Sequence, residues 1–132
     1  MNENAIVDEL YDTIREYGVM DTLCYVFGKG AEMEMGFTKR LCDTEVKDLP
    51  ISVRAYNGLM RAGCKTVGQL IEKINEGELL KIRQLGIKSV AELRALIVEL
   101  GYSQMSDRQK KDFLHRFVQR NAGKTLVCQG EQ

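Results

Sequence analysis

Two short groups of polar residues in the middle of the chain have the types and spacing to contact a phosphate backbone. The first is LGIKS, residues 85–89, which lies between two stretches with a helical pattern of apolar residues. Gly86 would permit a tight turn and would leave no Cβ in the way of a ligand. The next helix would begin there with backbone N–H groups that lack intrahelical acceptors, at the positive end of its dipole. A phosphate oxygen fits such a helix start, with Lys88 adding a charge and Ser89 a hydroxyl donor.

An ordinary structural role would explain the same five residues. Gly86 would be the C-terminal cap of one helix, Lys88 a solvated charge and Ser89 the N-cap of the next helix. Glu92 follows Ser89 at the spacing of a capping box. The pentapeptide by itself leaves both interpretations open.

Arg54 and Asn57 form the second group. They lie three residues apart in a predicted helix, SVRAYNGLMRAG, and therefore share one of its faces. An arginine favours the strong negative potential of a narrow A·T-rich minor groove, and an asparagine can bond to the acceptors on the groove floor. Both residues could equally be ordinary surface positions. Together with phosphate contacts, which carry no base information, they would make a DNA contact that tolerates sequence variation.

Short amphipathic helices are predicted to hold these residues in place. Apolar residues recur at spacings of three and four through most of the chain, and glycines end the stretches. The predicted helices are NAIVDELYDTIREYG, VMDTLCYVFGKG, LPISVRAYNGLMRAG, KTVGQLIEKIN, GELLKIRQLG, KSVAELRALIVELG and SDRQKKDFLHRFVQRNAG. Caps are expected at Asn4, Thr66 and Ser106, and a helix end at Gly101. The stretch 31–43 is predicted to be a connection, and KTLVCQGEQ a frayed tail.

Charge divides the chain into three segments, although the formal net charge is zero. Residues 1–43 hold four Lys/Arg and nine Asp/Glu, residues 44–102 hold nine and seven, and residues 103–132 hold six and three. We therefore expect an acidic N-terminal helical extension, a central helix–hairpin–helix domain, and a basic C-terminal helix and tail. The predicted fold class is all-α: a compact bundle of short helices containing a helix–hairpin–helix, with extra N-terminal and C-terminal helices.

The basic C-terminal helix has two interpretations. Its inward face is predicted to consist of Phe113, Leu114, Phe117 and Val118. The helix could pack this face on the domain and add positive charge for DNA, or it could dock on another protein.

Composition gives little support to other chemistry. Four cysteines without a CxxC pair and a single histidine, His115, do not provide a zinc site, so no metal or cofactor is expected. No enzyme motif occurs, so no catalytic residue is assigned and we expect a non-enzymatic protein. Without a secretory signal or a run of about 20 apolar residues, we expect a cytoplasmic chain with no disulfides and no membrane partner. Cys64 would lie in an exposed turn, and the oligomeric state is left open.

The central stretch resembles the C-terminal domain of the bacterial RNA polymerase alpha subunit. The likeness runs over DLPISVRAYNGLMRAGCKTVGQLIEKINEGELLKIRQLGIKSVAELRALIVELG, and its most specific blocks are SVRAYN.L.RAG..TV..L and LLK.R.LG.KS..E. That family is a compact helical domain with a helix–hairpin–helix. It binds A·T-rich promoter DNA through the minor groove and touches sigma factors and transcription activators. The resemblance implies DNA contact by Arg54 and Asn57 and phosphate contact by Gly86, Lys88 and Ser89.

Three positions depart from the family pattern. Ile87 stands where the family commonly has a second basic residue, and Gly58 where a cysteine usually follows the asparagine. Pro50 occupies a place where an acidic residue often faces sigma, although Asp48 remains nearby. A lost charge weakens DNA binding in a salt-dependent way, whereas an exposed Ile87 would offer an apolar contact to a protein.

The extent of the resemblance leaves two functions open. Residues 1–43 are too short to be the family's large N-terminal assembly domain, so we expect a stand-alone copy of the promoter-binding domain. This copy would bind A·T-rich DNA by recognising the shape of the duplex rather than a strict base sequence. Its role would be in transcription regulation. The alternative is a protein–protein adaptor that binds RNA polymerase, sigma or an activator without appreciable DNA affinity.

Overall fold

A computed structural model describes residues 2–28, 30–83 and 85–130, of which residues 122–130 are described as backbone only. Helices make up the regular structure of this described part, which contains no β-strand, so the predicted all-α class is confirmed. The α-helices are α1 (Glu3–Tyr17), α2 (Val19–Phe27), α3 (Lys39–Cys42), α4 (Val53–Arg61), α5 (Val67–Asn75), α6 (Ile87–Ser103) and α7 (Asp107–Gly130). Short 3₁₀ turns lie at Val46–Asp48 and Leu79–Lys81.

The fold divides into two compact units, which do not follow chain order. The central unit is Phe37–Gly101, and it contains α3, α4, α5 and most of α6. The terminal unit joins Met1–Gly36 to Tyr102–Gln132, so the two ends of the chain build one body. The acidic extension and the basic helix predicted from the sequence are therefore partners of each other.

Local capping sets where the helices of the central unit begin. Ser52 Oγ accepts a hydrogen bond from the Ala55 N–H at 3.1 Å and starts α4. Thr66 and Gln69 form a reciprocal capping box at the start of α5, which confirms the predicted cap at Thr66. Each such cap satisfies backbone donors that the helix start would otherwise leave unpaired, and contributes about 1 kcal/mol.

A single apolar core holds the central unit together. Its buried members are Val46, Ala55, Leu59, Cys64, Val67, Leu70, Leu79, Leu85, Val90, Leu93 and Ile97. Burying a valine or leucine side chain contributes about 1.5–3 kcal/mol, so this cluster outweighs any surface interaction of the unit. Cys64 belongs to the core with a fully buried side chain, so the expectation that it lies exposed in a turn was wrong.

In the terminal unit, α1 and α2 pack against α7 through aromatic and aliphatic side chains. The predicted inward residues of α7, Phe113, Leu114, Phe117 and Val118, are all buried. The Phe27 ring meets the Phe117 ring edge to face, with centroids 5.0 Å apart. The Tyr11 hydroxyl donates a 2.7 Å hydrogen bond to Asp107 Oδ1 in the first turn of α7.

Charged pairs connect the acidic N-terminal segment to the basic helix of the same unit. Lys111 Nζ lies 3.5 Å from Asp8 Oδ1, and Arg120 Nη2 lies 3.5 Å from Glu34 Oε1. These pairs are exposed, and such pairs contribute only about 0–1 kcal/mol each. They orient the segments, while apolar burial supplies most of the stability.

His115 takes part in the same contact between α7 and α1. Its Nδ1 lies 2.6 Å from Glu3 Oε2, and the same carboxylate oxygen accepts from Gln119 Nε2 at 3.1 Å. The histidine is thus half-buried and bonded to a distant part of the sequence.

Some predicted helix boundaries were wrong. Asn2, rather than Asn4, caps α1, because its Oδ1 accepts from the Ala5 N–H at 2.8 Å. The predicted helix end at Gly101 lies inside α6, which runs to Ser103. The connection 31–43 contains the short helix α3, and the predicted tail 124–132 is helical in its backbone as far as Gly130, while residues 131 and 132 lie outside the described residues. Ser106 caps α7 as predicted, with its Oγ 3.2 Å from the Gln109 nitrogen.

Candidate nucleic-acid interface

The LGIKS pentapeptide spans the start of α6. The helix begins at Ile87, and the Val90 N–H donates to the Gly86 carbonyl at 3.0 Å, so Gly86 holds the N-cap position. Ser89 is consequently the third residue of the helix, and its predicted role as the N-cap was wrong. The N–H groups of Ile87, Lys88 and Ser89 precede the Val90 bond, in the turn where a helix has no acceptors of its own.

Gly86 is exposed, and its backbone conformation does not require a glycine. Its φ lies outside the left-handed region, and a Cβ added there would meet no atom within 4 Å. The expectation that Gly86 is needed for a tight turn is therefore not met. The glycine does leave the start of α6 open to an approaching group.

Arg54 and Asn57 lie on the outer face of α4. Both side chains are exposed, while Ala55, Gly58 and Leu59 on the opposite face are buried. The predicted shared face is therefore the solvent face of an amphipathic helix. The Asn57 amide makes no hydrogen bond to another side chain or backbone group in the described part of the protein.

A groove shared by α4 and α6 includes one of the five candidate residues, Ser89. The groove has a volume of about 320 Å³ and is lined by Pro50, Ile51, Ser52, Ala55, Ser89, Glu92, Leu93, Ala95 and Leu96. Because Ser52 and Ala55 line the same groove as Ser89 and Glu92, the start of α4 lies beside the N-terminal half of α6. Arg54, Asn57, Gly86 and Lys88 are not among the residues that line this groove. The Glu92 carboxylate disfavours an anion in the groove itself, so the exposed side chains beside it are the candidate contacts.

Contacts that were not visible in the sequence support the turn before α6. A Cβ placed on the buried Gly58 would lie 3.7 Å from both Ile82 Cγ2 and Leu85 Cδ1, so α4 packs directly on this turn. Arg61 Nη2 donates to the Arg83 carbonyl at 3.4 Å. The sequence contained one signal for this close approach. Gly58 lacks a side chain and so permits close packing, and Arg61 follows it three positions later.

The lysines near this turn differ in their environment. Lys81 Nζ lies 2.8 Å from Glu78 Oε2, and this pairing lowers the pKa of the Glu78 carboxyl. The charge of Lys81 is therefore largely balanced by its neighbour. Lys88 is exposed and has no carboxylate within salt-bridge distance among the described residues, which leaves its charge available to a ligand.

Two exposed apolar residues flank the candidate site. The Ile87 side chain is 78% exposed and the Val53 side chain 75% exposed, next to Lys88 and Arg54 respectively. Ile87 is the first residue of α6, and its side chain remains exposed to solvent there. Val53 was one of two alternatives for the inward face of its helix, and the structure buries Ile51 in part instead.

Other kinds of site receive no support in the described part of the protein. It contains no group of three or more histidine, cysteine or acidic residues placed to hold a metal ion. None of its helices combines the length and apolarity needed to cross a membrane.

The fold and the site define a small all-α domain that presents an open helix start on α6 and an exposed polar face on α4. Residues 35–99 match the model of the family described as the C-terminal domain of the alpha chain of bacterial RNA polymerase. This segment, about half of the sequence, nearly coincides with the central unit and carries all five candidate residues. The predicted resemblance to the C-terminal domain of the alpha subunit is thereby confirmed over these residues.

Curated relatives agree with the family match. The protein is 38% identical over 78 residues to the DNA-directed RNA polymerase subunit alpha of Carboxydothermus hydrogenoformans, a match that covers 59% of this sequence and 25% of the relative. It is 47% identical over 64 residues to that of Rubrobacter xylanophilus, covering 48% of this sequence and 20% of the relative. The alpha subunit of Moorella thermoacetica is 40% identical over 78 residues, covering 59% and 25%.

These matches cover only part of this sequence and only part of each relative. The matched part spans a quarter or less of the length of these relatives. The family match ends before α7 and begins after α2, so most of the terminal unit lies outside it. No solved structure matches the protein at a significant level.

Proposed function

We propose that this protein is a non-enzymatic DNA-binding module of bacterial transcription, acting in the cytoplasm. Arg54 and Asn57 would enter the minor groove of A·T-rich DNA from the outer face of α4. Gly86, Lys88 and Ser89 would hold a backbone phosphate at the start of α6. The relatives named above are subunits of DNA-directed RNA polymerase, which supports a role in transcription.

The observation that carries the proposal is the groove shared by the start of α4 and the N-terminal half of α6. Because Ser52 and Ala55 line the same groove as Ser89, one DNA duplex lying over both helix starts would meet exposed residues of α4 and α6. The open position at Gly86 adds support, since the fold itself does not require a glycine there. A close approach of a phosphate would require one.

The charges of the site predict the character of the binding. Arg54 and Lys88 are the two cations of the five residues, so few phosphates would be neutralised. Each neutralised phosphate contributes a slope of about −0.9 in the dependence of log K on log salt. We therefore expect modest affinity that falls with salt, with a preference for the narrow minor groove of A·T-rich DNA.

The test is binding of fluorescent A·T-rich and G·C-rich duplexes across a salt series. The proteins are wild type, Arg54→Ala, and Arg94→Ala as the matched control. Arg94 is exposed on α6 but does not line the groove, although its neighbours Leu93 and Ala95 do. The proposal expects salt-sensitive, A·T-preferring binding that Arg54→Ala abolishes and Arg94→Ala leaves largely intact.

The exposed apolar residues support a second candidate function. Ile87 and Val53 flank the polar site with side chains more than 70% exposed, as an interface for a protein would do. An adaptor that binds RNA polymerase, sigma or an activator would use this surface without DNA. A folded wild-type protein that fails to bind either duplex at low salt, yet retains RNA polymerase in a pull-down that Ile87→Ser weakens, would establish the adaptor and exclude the DNA proposal.

A further inference from the structure

An apolar groove lies in the terminal unit between α1 and α2. It has a volume of about 430 Å³ and is lined by Thr13, Tyr17, Asp21, Thr22, Tyr25 and Val26. Three of these residues are unusually exposed for their type: Tyr25 is 91% exposed, Tyr17 63% and Val26 45%. Contiguous exposed apolar and aromatic residues of this kind mark a binding surface more often than isolated ones. We call this surface the α1–α2 groove.

The polar groups of the α1–α2 groove point to a cation with hydrogen-bond donors. Asp21 places an exposed carboxylate in the groove, one helical turn before Tyr25. Thr22 is only 4% exposed, and its hydroxyl oxygen has no hydrogen-bond partner among the described residues. A buried hydroxyl is costly to leave unpaired, and rotation of the Thr22 side chain toward the groove would let a donor from an occupant remove that cost.

Arg15, the arginine of α1, contacts Tyr11, which does not line the α1–α2 groove. Arg15 Nη2 donates to the Tyr11 hydroxyl at 3.3 Å, and its guanidinium lies 5.0 Å from the centre of the Tyr11 ring. The hydrogen bond to Tyr11 raises the pKa of Arg15, and the two contacts hold Arg15 on a different tyrosine. They also show, within this protein, the kind of contact that an arginine makes with a tyrosine ring.

We propose that the α1–α2 groove binds an arginine side chain presented by a basic segment of a partner protein. The apolar stem of arginine would lie against the tyrosines, and its planar guanidinium would stack on a ring. The same guanidinium has enough donors to bond the Asp21 carboxylate and, after rotation of its side chain, the Thr22 hydroxyl. A lysine also has donors for two acceptors, and Lys111 Nζ lies 5.0 Å from the centre of the Tyr11 ring, but a lysine lacks the planar fork with which arginine can stack and bond at the same time.

Charge distinguishes this partner from other occupants. Nucleic acid is disfavoured, because Asp21 lines the groove and Glu16 is exposed beside Tyr17. A symmetric pair of two copies would bring Asp21 of each copy toward the like-charged surface of the other, which is also unfavourable. A basic protein segment complements this surface.

The experiment uses the full-length protein and a short fluorescent peptide of alanine, glutamine and leucine with one central arginine. The control peptide carries citrulline at that position, which keeps the shape and removes the charge. Anisotropy measures the affinity, and amide chemical shifts of the labelled protein locate the contact. The proposal expects binding of the arginine peptide with shifts at Asp21, Thr22 and Tyr25, and about tenfold weaker binding of the citrulline peptide.

Variants separate this surface from the rest of the protein. Asp21→Asn should weaken binding of the arginine peptide about tenfold. Asp12→Asn changes the same charge on an exposed residue of α1 that does not line the groove, and should leave binding intact. Tyr25→Ser should also weaken binding, without affecting folding, because that side chain is almost fully exposed.

Three outcomes would overturn the proposal. They are equal binding of the two peptides, equal effects of Asp21→Asn and Asp12→Asn, and self-association of the protein that Tyr25→Ser abolishes in place of peptide binding. The proposal does not depend on DNA binding. Measuring the A·T-rich duplex with Asp21→Asn keeps the two apart, since that variant should retain its DNA affinity.

Discussion

Asn121 and the backbone of Glu32 bond to each other in both directions. The Glu32 N–H donates to Asn121 Oδ1 at 2.8 Å, and Asn121 Nδ2 donates to the Glu32 carbonyl at 2.8 Å. The same amide donates to the Phe117 carbonyl at 2.9 Å, and the side chain is fully buried. One asparagine thus fastens the segment after α2 to α7, across a separation of 89 residues in the sequence.

We expect Asn121→Asp to destabilise the terminal unit by about 3 kcal/mol. The carboxylate cannot donate to the two carbonyls and would be a buried charge beside them. Urea unfolding at neutral pH measures the loss, which should shrink at acidic pH, where a protonated carboxyl regains a donor. Asn4→Asp is the matched control, because that residue is exposed in the first turn of α1. Equal effects of the two substitutions would contradict the role of Asn121.

Gly58→Ala should stabilise the protein by about 1 kcal/mol, since alanine is the better helix former inside α4. The added methyl group would lie 3.7 Å from Ile82 Cγ2 and Leu85 Cδ1, an ordinary contact distance. Thermal unfolding gives the change. Gly63→Ala is the control substitution at a glycine whose backbone requires one. Because φ of Gly63 is 76°, an alanine there should destabilise the protein by about 1 kcal/mol. A stability loss in Gly58→Ala would contradict this prediction and would show that the packing of α4 on the turn leaves no room for a methyl group.

Gly86→Asp should fold as well as wild type but bind A·T-rich DNA about tenfold more weakly at low salt. Aspartate is a good N-cap residue, yet it would place a negative charge where we propose a phosphate. Gly86→Asn caps the helix equally well without that charge and should bind more tightly than the aspartate variant. Duplex anisotropy compares them, after circular dichroism has verified their helix content. If both variants bind DNA like wild type, the start of α6 is not a phosphate site.

Ile87→Lys should strengthen DNA binding because it adds one phosphate contact. The slope of log K against log salt should become more negative by about 0.9. The side chain is 78% exposed, so the substitution leaves the core unchanged. Leu80→Lys adds the same charge at another exposed apolar position, 62% exposed in the 3₁₀ turn, and serves as the control. A slope that changes equally in both variants would indicate a general charge effect and no local contact.

Stability should fall at alkaline pH through Cys64. Burial raises the pKa of its thiol, with Lys73 acting in the opposite direction. The folded state therefore keeps the thiol proton to higher pH than the unfolded state does. This contribution is fully present below the unfolded pKa of about 8.5 and is lost as the pH rises toward the folded value.

Urea midpoints of wild type and Cys64→Ala across this pH range measure the effect. The alanine variant should be less stable at neutral pH, because it leaves a cavity, but should lose less as the pH rises. Cys42→Ala replaces a partly buried thiol and should follow the wild-type pH dependence. Parallel curves for all three proteins would show that Cys64 has no part in the alkaline loss.

Local sequence signals determined much of this protein. Amphipathic periodicity and caps such as Thr66 and Ser106 depend on residues three or four apart, so the helices and the inward face of α7 were predictable. The motif blocks around Arg54 and Lys88 were specific enough to predict the family that residues 35–99 match. The roles of the five candidate residues remain predictions.

Tertiary structure alone decided the remaining features, because they depend on contacts between distant residues. The bonds of His115 to Glu3 and of Asn121 to Glu32 join segments 112 and 89 residues apart, and no periodic pattern encodes such a separation. The opposite charges of the two ends of the sequence were the one signal that those ends could pair. The burial of Cys64 and the N-cap position of Gly86 likewise emerge only when the helices pack, since burial and helix starts are settled by neighbours in space.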